Sequence, residues 1–287
     1  MKPVLNNAGK GALLWVTLLV GQTIGGLIFF RNAAAFAKDG PFGAGGALLV
    51  ASLIDAVILT LLAARSGLRG WRLGSTLAIL LFGVQIIQPL VETLIFNRDV
   101  HMPASMFAAT ALCGLARDLI AAGGIALLWR GRSEPTPHLP GLGWKAPAIA
   151  ALYVLCYFTA GQFIAWQSPD VRTYYAHVRQ IDLALVIMQF GRGLGWAALA
   201  WLLYRSTQWR AGPIALLCGL ALSGLMIPLL LFPNPYMPWP VRAVHMMEVG
   251  VSNFVFGVLA IWLLRLPAAP QPRLQGFGVK ATDEALR

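Results

Sequence analysis

Ionisable and amide side chains interrupt several long apolar stretches of this sequence, and these are the residues that could do chemistry. Charged groups are costly in an apolar environment, so each should have a partner or a function. Nine residues form our candidate set for a solute or ion pathway: Asp55, Glu92, Arg117, Asp118, Gln189, Arg192, His245, Glu248 and Asn253. Guanidinium groups suit the binding of an anion or a lipid head group, whereas carboxylates and imidazoles suit proton transfer.

The spacing of these residues sorts them onto helical faces, because residues three or four apart lie on the same side of a helix. Three polar stripes are predicted in this way: His245 with Glu248 and Ser252, Gln85 with Gln88 and Glu92, and Gln189 with Arg192. All three run toward the same side of the membrane. Their convergence favours a water-accessible cavity there.

Two ion-pair arrangements are expected among the remaining charges. Asp55 and Arg192 fall at similar depth in corresponding helices of the two halves, which predicts a pair across the interface. Arg117 and Asp118 are sequence neighbours and do not share a face, so each is expected to find its main partner on another helix. Such pairs can also serve only to fix helix packing, and that alternative stays open.

Composition indicates that membrane-spanning helices position these groups. Only 11% of the residues are charged and 58% are hydrophobic, whereas soluble domains carry roughly 25% charged residues. A bilayer core needs about 20 apolar residues of helix. We therefore predict an all-α, polytopic integral membrane protein with helices at 11–30, 44–64, 72–96, 103–129, 146–166, 180–204, 212–232 and 241–264.

The two halves of the sequence can be aligned, which predicts an internal duplication. The matching pairs are Gly21-Gln22 with Gly161-Gln162, Gly70-Trp71-Arg72 with Gln208-Trp209-Arg210, and His101-Met102-Pro103 with Tyr236-Met237-Pro238. Units of four helices must enter the membrane the same way, so the repeats are parallel. We expect a first repeat over 1–133, a cytoplasmic linker over 134–145, a second repeat over 146–266 and a disordered cytoplasmic tail over 267–287.

The distribution of basic residues predicts the orientation. Of the 22 Lys and Arg, two lie inside spans and only six lie on one side: Arg31, Lys38, Arg98, Arg172, Arg179 and Arg242. The excess on the other side places both termini in the cytoplasm of a bacterial plasma (inner) membrane. The start resembles a signal peptide with small residues at 33–37, but its apolar stretch exceeds the usual length of about 7–15 residues. We interpret it as a true span.

Several function classes are disfavoured. The net charge of +11 would suggest nucleic acid in a soluble protein, but here the basic residues lie at helix ends, so no nucleic-acid partner is expected. The isolated cysteines Cys113, Cys156 and Cys218 have no metal-ligand spacing and are interpreted as small core residues. HExxH, GxSxG and P-loop motifs are absent from the sequence, and we assign no catalytic residue, cofactor or metal.

Small residues and prolines predict features of packing. Gly21 with Gly25 and Gly191 with Gly195 have the spacing of close helix contacts. Pro89 and Pro228 are expected to kink their helices and to free a backbone carbonyl for another partner.

A small permease or carrier is the leading hypothesis for function, with a polar cavity between the repeats and an anionic or lipid-like ligand. One alternative is a membrane-embedded enzyme acting on a lipid or isoprenoid, with His245 and Glu248 as acid and base. The other is a non-catalytic assembly, immunity or sensor protein that binds a membrane-protein partner or forms a homo-oligomer. The solute and the reaction cannot be read from the sequence.

Overall fold

The computed structural model describes residues 2–30, 39–97, 101–134, 142–176, 182–207 and 211–267, and within these ranges the chain is helical apart from short connections. Several predictions lie outside the described residues: the match at Gln208–Arg210, the linker over 135–141, the tail from 268 and the small residues at 33–37.

Eight helices in the described ranges are long and apolar enough to cross a membrane, as the hydropathy predicts. With one short helix included, they are α1 (Lys2–Phe29), α2 (Gly43–Arg65), α3 (Gly70–Ile95), α4 (Ala104–Leu128), α5 (Lys145–Phe163), α6 (Pro169–Tyr174), α7 (Leu183–Ser206), α8 (Ala211–Met226) and α9 (Trp239–Arg265). A 3-10 turn over Ala165–Gln167 follows α5, and another over Ile227–Leu231 follows α8.

The predicted helix ends are correct to within a few residues, with two exceptions. Helix α1 begins at Lys2 rather than near residue 11, because an apolar stretch marks where a helix crosses the membrane and not where the helix itself starts. Helix α6 was not predicted. It is only six residues long, and a single polar turn carries no hydropathy signal.

The eight long helices form two groups, α1 to α4 and α5 with α7 to α9. Each group packs around its last helix, α4 or α9. Helix α4 packs against α1 and α3, and α1 also packs against α2. Helix α9 packs against α8 and α5, and α5 also packs against α7. The two groups meet where α2 contacts α8 and where α3 contacts α7. The end of this bundle that carries α6 is called the α6 end below.

Large apolar side chains cover the outward faces of the helices. Leu27, Leu119, Phe163 and Leu183 are between 63% and 74% exposed. So extensive an apolar surface is unfavourable in water, whereas contact with lipid requires it. The all-helical architecture and this surface are those of a multi-pass membrane protein.

Glycines allow α1 to approach α4 closely. A Cβ atom added to Gly21 would lie 3.0 Å from the Cα of Arg117, and one added to Gly25 would lie 2.9 Å from the Sγ of Cys113. Both distances are too short for a side chain. The close packing predicted from Gly21 and Gly25 is therefore confirmed.

The second glycine pair behaves differently. Gly191 has no neighbour within 4 Å of a Cβ position, so close packing at this residue is not found. The tight contact of α7 with α5 instead uses Gly193, where an added Cβ would lie 2.8 Å from the Cα of Ala150. Gly195 faces α3, where its Cβ would lie 2.5 Å from the Nε2 atom of Gln88.

Substitution of adjacent glycines in α1 tests this packing. Gly25→Leu is expected to lower the free energy of unfolding by about 1–3 kcal/mol, because its side chain must displace the α4 backbone. Gly26→Leu is the matched control, since nothing lies within 4 Å of its Cβ position, and it should be nearly neutral. Thermal unfolding of the two purified variants in detergent measures the difference. Equal melting temperatures would contradict the close α1–α4 contact.

The two prolines coincide with changes of helix type. In α3, a π-helical turn over Gly83–Ile87 immediately precedes Gln88 and Pro89, and the Gln88 N–H bonds the Gly83 carbonyl five residues earlier. Pro228 lies in the 3-10 turn that follows α8. Because proline lacks an N–H, both residues interrupt the regular α-helical hydrogen bonding.

Candidate functional site

One group of candidate residues forms what we call the Arg117 network: Asp55 of α2, Gln85 of α3, and Arg117 and Asp118 of α4. Gln85 Nε2 donates to Asp55 Oδ1 at 2.7 Å and to the carbonyl of Leu225 at 2.7 Å. Arg117 Nη1 donates to Gln85 Oε1 at 2.5 Å, and Arg117 Nε donates to Asp118 Oδ1 at 2.7 Å. All four residues are buried.

The partners within this network only partly match the prediction. Arg117 does reach another helix, because it bonds Gln85 of α3. The expectation for Asp118 is wrong, since its bond comes from the neighbouring Arg117. The arginine side chain is long enough to fold back along the helix, which the simple face rule ignores.

A proline explains why Gln85 reaches α8. Leu225 lies three residues before Pro228, and the missing N–H of that proline leaves the Leu225 carbonyl without the bond that a 3-10 turn would provide. The side chain of Gln85 supplies the donor instead. The freed carbonyl predicted from the sequence is thus satisfied by a neighbouring helix.

A second group forms what we call the Arg192 network: Gln88 and Glu92 of α3 with Gln189 and Arg192 of α7. Arg192 Nη2 lies 2.9 Å from Glu92 Oε2, and Nη1 donates to Gln189 Oε1 at 2.8 Å. Arg192 Nη2 also donates to the Gln88 carbonyl at 3.2 Å. The guanidinium carbon lies 5.8 Å from the ring centre of Tyr153.

The predicted pairing of Asp55 with Arg192 is wrong, because each has a different partner. The π-helical turn explains the error. It widens the turn between Gln85 and Gln88, so residues three apart no longer share a face. The predicted stripe on α3 therefore divides: Gln85 faces Asp55, whereas Gln88 and Glu92 face Arg192.

The third element is the His245 chain, formed by Tyr175, His245 and Glu248. The Tyr175 hydroxyl lies 3.2 Å from His245 Nε2, and His245 Nδ1 lies 2.5 Å from Glu248 Oε2. Burial, together with the negative charges of Glu92 and Glu248, raises the pKa of the Tyr175 phenol above its ordinary value. A carboxylate only accepts, so His245 Nδ1–H donates to Glu248, and the contact of Nε2 with the Tyr175 hydroxyl completes the chain.

Tyrosines connect the Arg192 network to the His245 chain. The hydroxyl of Tyr157 on α5 lies within electrostatic range of Glu92, Arg192 and Glu248. The sequence analysis missed Tyr153, Tyr157 and Tyr175, since tyrosines are common at membrane interfaces and nothing in their spacing marks them.

Two predicted residues remain outside these groups. Asn253 is buried in α9, but no hydrogen bond joins its side chain to either network among the described residues. Ser252 does not extend the His245 chain, although His245 and Glu248 do share a face as predicted.

An interior cavity adjoins the Arg117 network. It has a volume of about 100 Å³ and is lined by Gln22, Ser52, Asp55, Gln85 and Arg117 among others. Two buried polar atoms of these residues, Gln22 Oε1 and Arg117 Nη2, have no hydrogen-bond partner in the described part of the chain. Unpartnered buried polar atoms are rare in folded proteins and often mark a site for water or a ligand.

The same cavity extends toward the α6 end. Phe30 and Phe232, which follow α1 and the 3-10 turn after α8, contribute to its lining. The cavity therefore lies mainly within the first group of helices, and the 3-10 turn of the second group closes one side of it.

No metal site is found in the described ranges, where no three His, Cys, Asp or Glu side chains are grouped to hold an ion. The three cysteines are free, and Cys113 and Cys218 are buried, in keeping with a packing role.

Arg242 is a polar residue whose importance the sequence analysis missed, because it was used only in the count of basic residues on one side of the membrane. It is fully buried and its guanidinium group bonds Asp39, which precedes α2. Since neither residue touches the cavity, this contact belongs to the scaffold.

The chain matches no protein-family model, and no curated protein and no solved structure is significantly similar to it. The functional interpretation consequently rests on the geometry of the networks and of the cavity.

Proposed function

We propose that the chain is a small carrier of a bacterial plasma membrane, built from two parallel four-helix repeats around a polar solute site. The packing of the helices supports the duplication. In each group the fourth long helix contacts the first and the third, and the first contacts the second. Between groups, the second helix of each contacts the third of the other. A two-fold axis along the membrane normal relates such contacts.

Two local contacts also support the duplication. Ser66 after α2 and Thr207 after α7 form an antiparallel bridge, and Ser66 Oγ donates to the Ser206 carbonyl at 2.7 Å. Corresponding loops that meet each other in this way are expected at a two-fold axis.

The charge distribution supports cytoplasmic termini. Among residues with described side chains, two basic residues belong to the α6 end, Arg172 and Arg242. Nine lie at the opposite end: Lys10, Arg65, Arg69, Arg72, Arg130, Arg132, Lys145, Arg205 and Arg265. The positive-inside rule then makes the α6 end the outer one.

The observation that carries the solute site is the interior cavity with its two unpartnered atoms. Gln22 Oε1 can accept a hydrogen bond from one small polar molecule, and Arg117 Nη2 can donate one to it. Because the 3-10 turn of the second group closes this cavity of the first group, rocking of the two groups against each other would move that turn and expose the site. The cavity therefore supports a carrier better than a purely structural role for these residues.

Charge counting in the Arg117 network indicates what the carrier binds. Asp55 and Asp118 supply two carboxyl groups, and Arg117 supplies one positive charge. One proton or one cationic group would balance the remaining charge, whereas an anion would add to it. Both candidate arginines are already paired with carboxylates. We therefore favour a neutral, zwitterionic or cationic solute over an anionic one, with Asp55 as the proton carrier.

Proton movement in proteoliposomes tests this function. We expect that at least one member of a panel of amino acids, polyols and polyamines will change the internal pH of vesicles that contain the protein and a trapped pH-sensitive dye. Asp55→Asn should lower that rate at least about tenfold, because its amide still accepts from Gln85 but carries no proton.

Asp170→Asn provides the matched control, since Asp170 is an exposed carboxylate of α6, and it should retain the wild-type rate. A carrier without proton coupling would produce no pH change, and equal rates of pH change in Asp55→Asn and Asp170→Asn would rule out Asp55 as the proton carrier. If no solute moves protons and Asp55→Asn leaves every measured property unchanged, the chain is better explained as a non-catalytic partner protein.

The His245 chain supports a second candidate function, a membrane-embedded enzyme. A carboxylate that orients an imidazole beside a phenol is an arrangement suited to general acid–base catalysis. Purified protein in detergent would then convert a component of a bacterial lipid extract to a product visible by mass spectrometry. His245→Gln should abolish that conversion and Asp170→Asn should preserve it. Absence of any product in detergent, together with transport in vesicles, would reject the enzyme.

A further inference from the structure

A second cavity lies on the lipid-facing side of α3, between α4 and α7. Its volume is about 470 Å³, which is within the range of small-molecule sites. Its walls are apolar and include Trp71, Ile79, Leu115 and Leu119, whose side chains are among the exposed large hydrophobic ones. We call this cavity the α3 groove. A molecule could enter it sideways from the bilayer.

Two polar atoms make the α3 groove different from an ordinary lipid-facing surface. Gln88 and Asp118 contribute to its lining although they are only 3% and 2% exposed. Gln88 Nε2 donates to the Arg192 carbonyl, and Asp118 Oδ1 accepts from Arg117. Their other oxygens, Gln88 Oε1 and Asp118 Oδ2, have no partner in the described residues. Both are hydrogen-bond acceptors in an apolar setting, which is unfavourable unless a donor arrives.

The absence of a side chain at Gly195 leaves room for the Gln88 side chain beside the groove. A Cβ on Gly195 would lie 2.5 Å from Gln88 Nε2, so a larger residue in α7 would displace the amide. Gly195 lines the groove as well. The groove is therefore shaped by residues of three helices, and two of its lining residues, Gln88 and Asp118, carry the unpartnered acceptor oxygens.

We propose that the α3 groove binds an uncharged, bilayer-soluble alcohol or phenol, with its hydroxyl group donating to Gln88 Oε1 or Asp118 Oδ2. The two unpartnered oxygens need a hydrogen-bond donor from the ligand, and they would repel a phosphate or carboxylate group. Asp118 already has the positive charge of Arg117 beside it, so an ammonium group has little to gain. Asp118 also lies near the middle of α4, a depth at which a charged head group would be costly.

The ligand chemistry follows from these restrictions. The walls accommodate a hydrocarbon body, and the unpartnered oxygens accommodate one neutral hydroxyl group. This site is separate from the solute cavity of the proposed carrier. It opens to lipid, and neither Gln22 nor Arg117 lines it.

Photolabelling of the full chain in lipid nanodiscs tests the proposal. The probes are a diazirine-bearing hexadecanol and its methyl ether, which has the same hydrocarbon chain but no donor. We expect mass spectrometry to find the alcohol on Ile79, Leu115 and their neighbours, with labelling roughly three- to tenfold above that of the ether. That factor is what one hydrogen bond supplies.

A matched pair of variants locates the labelling. Leu119→Trp should fill the groove and remove the preference for the alcohol. Leu127→Trp should leave it intact, because Leu127 is on the same helix with similar exposure, 61% against 63%, but does not line the groove. Equal labelling by alcohol and ether, labelling spread evenly over all helices, or labelling that survives Leu119→Trp would each overturn the proposal.

Discussion

Replacement of Arg242 by methionine is expected to lower the free energy of unfolding by roughly 2–4 kcal/mol, somewhat below the cost of breaking a fully buried ion pair because the Asp39 side chain is 32% exposed. Arg242 is 0% exposed, and its Nη2 lies 2.6 Å from Asp39 Oδ1. Its Nε donates to the carbonyl of Met237 at 3.0 Å, and Nη1 donates to those of Leu230 at 3.0 Å and Phe232 at 2.6 Å. Methionine fills similar volume and supplies no donor, so the three carbonyls would lose the donor that Arg242 provides, whereas the Asp39 side chain, which is 32% exposed, would keep access to water.

The bonds of Arg242 join parts of the chain that are distant in sequence, which increases the expected loss of stability. Asp39 precedes α2, Leu230 and Phe232 follow α8, and Arg242 lies in the first turn of α9, so one guanidinium group joins three parts of the chain. Asp39 Oδ2 also accepts from the N–H of Trp239 at 2.8 Å and thereby caps α9. Loss of Arg242 should therefore loosen the start of α9, which also carries His245 and Glu248.

Thermal unfolding of detergent-solubilised protein measures this prediction. Arg242→Lys should recover only a small part of the lost stability. The planar guanidinium group donates to several acceptors at once, and a single ammonium group cannot reach all of them. Arg172→Met is the control, since Arg172 is an exposed arginine at the same end with one hydrogen bond to the Trp166 carbonyl. It should change stability by less than about 0.5 kcal/mol. An Arg242→Met variant as stable as wild type would show that the cluster is dispensable.

The spans could be predicted from sequence because the bilayer dictates them. A helix in lipid must satisfy all its backbone groups internally and expose apolar side chains along its length. Eight stretches meet that requirement, and all eight are helices in the structure. The short helix α6 lies outside the apolar stretches, where no such constraint acts, and it positions Tyr175 in the His245 chain.

The partners of the buried charges were harder to predict than their burial. Gln85 and Gln88 were placed on one face on the assumption of regular α-helical geometry. The π-helical turn over Gly83–Ile87 separates them, and the sequence marks that turn only by the proline at position 89. One irregular turn thus decides that Asp55 bonds Gln85 and that Arg192 bonds Glu92.

The spacing of residues along the chain does not reveal partners that are far apart in sequence. Arg242 looked like any basic residue near a helix start, because Asp39 is far away in sequence. A local rule such as the three-to-four spacing can identify which residues share a helix face. It cannot identify which helices face each other. For Arg242, only that information shows that the residue lies buried among Asp39 and the carbonyls of Leu230, Phe232 and Met237.

Replacement of Glu92 by glutamine should destabilise the protein more than replacement of Glu92 and Arg192 together. The Arg192 side chain is 2% exposed and that of Glu92 is 29% exposed. Removal of Glu92 leaves a guanidinium group buried without a counter-charge. We expect a loss of roughly 2–4 kcal/mol, somewhat below that for a fully buried pair because Glu92 retains access to solvent.

In the double variant Glu92→Gln, Arg192→Met, the isolated charge is gone, so part of that loss should return. The coupling energy from the two single variants and the double variant is expected to be about 1–3 kcal/mol. Glu134→Gln is the control for the loss of a carboxylate, since Glu134 is exposed at the opposite end of the bundle. Additive effects, with no coupling, would contradict a direct interaction between Glu92 and Arg192.

The same double variant separates a packing role from a transport role for the Arg192 network. The proposed solute site lies at the Arg117 network, and Arg192 does not line that cavity. A folded double variant should therefore keep the solute-driven proton movement of the wild type in vesicles. If it is stable but inactive, the pathway must pass between α3 and α7, and the solute site would have to be extended to Glu92 and Arg192.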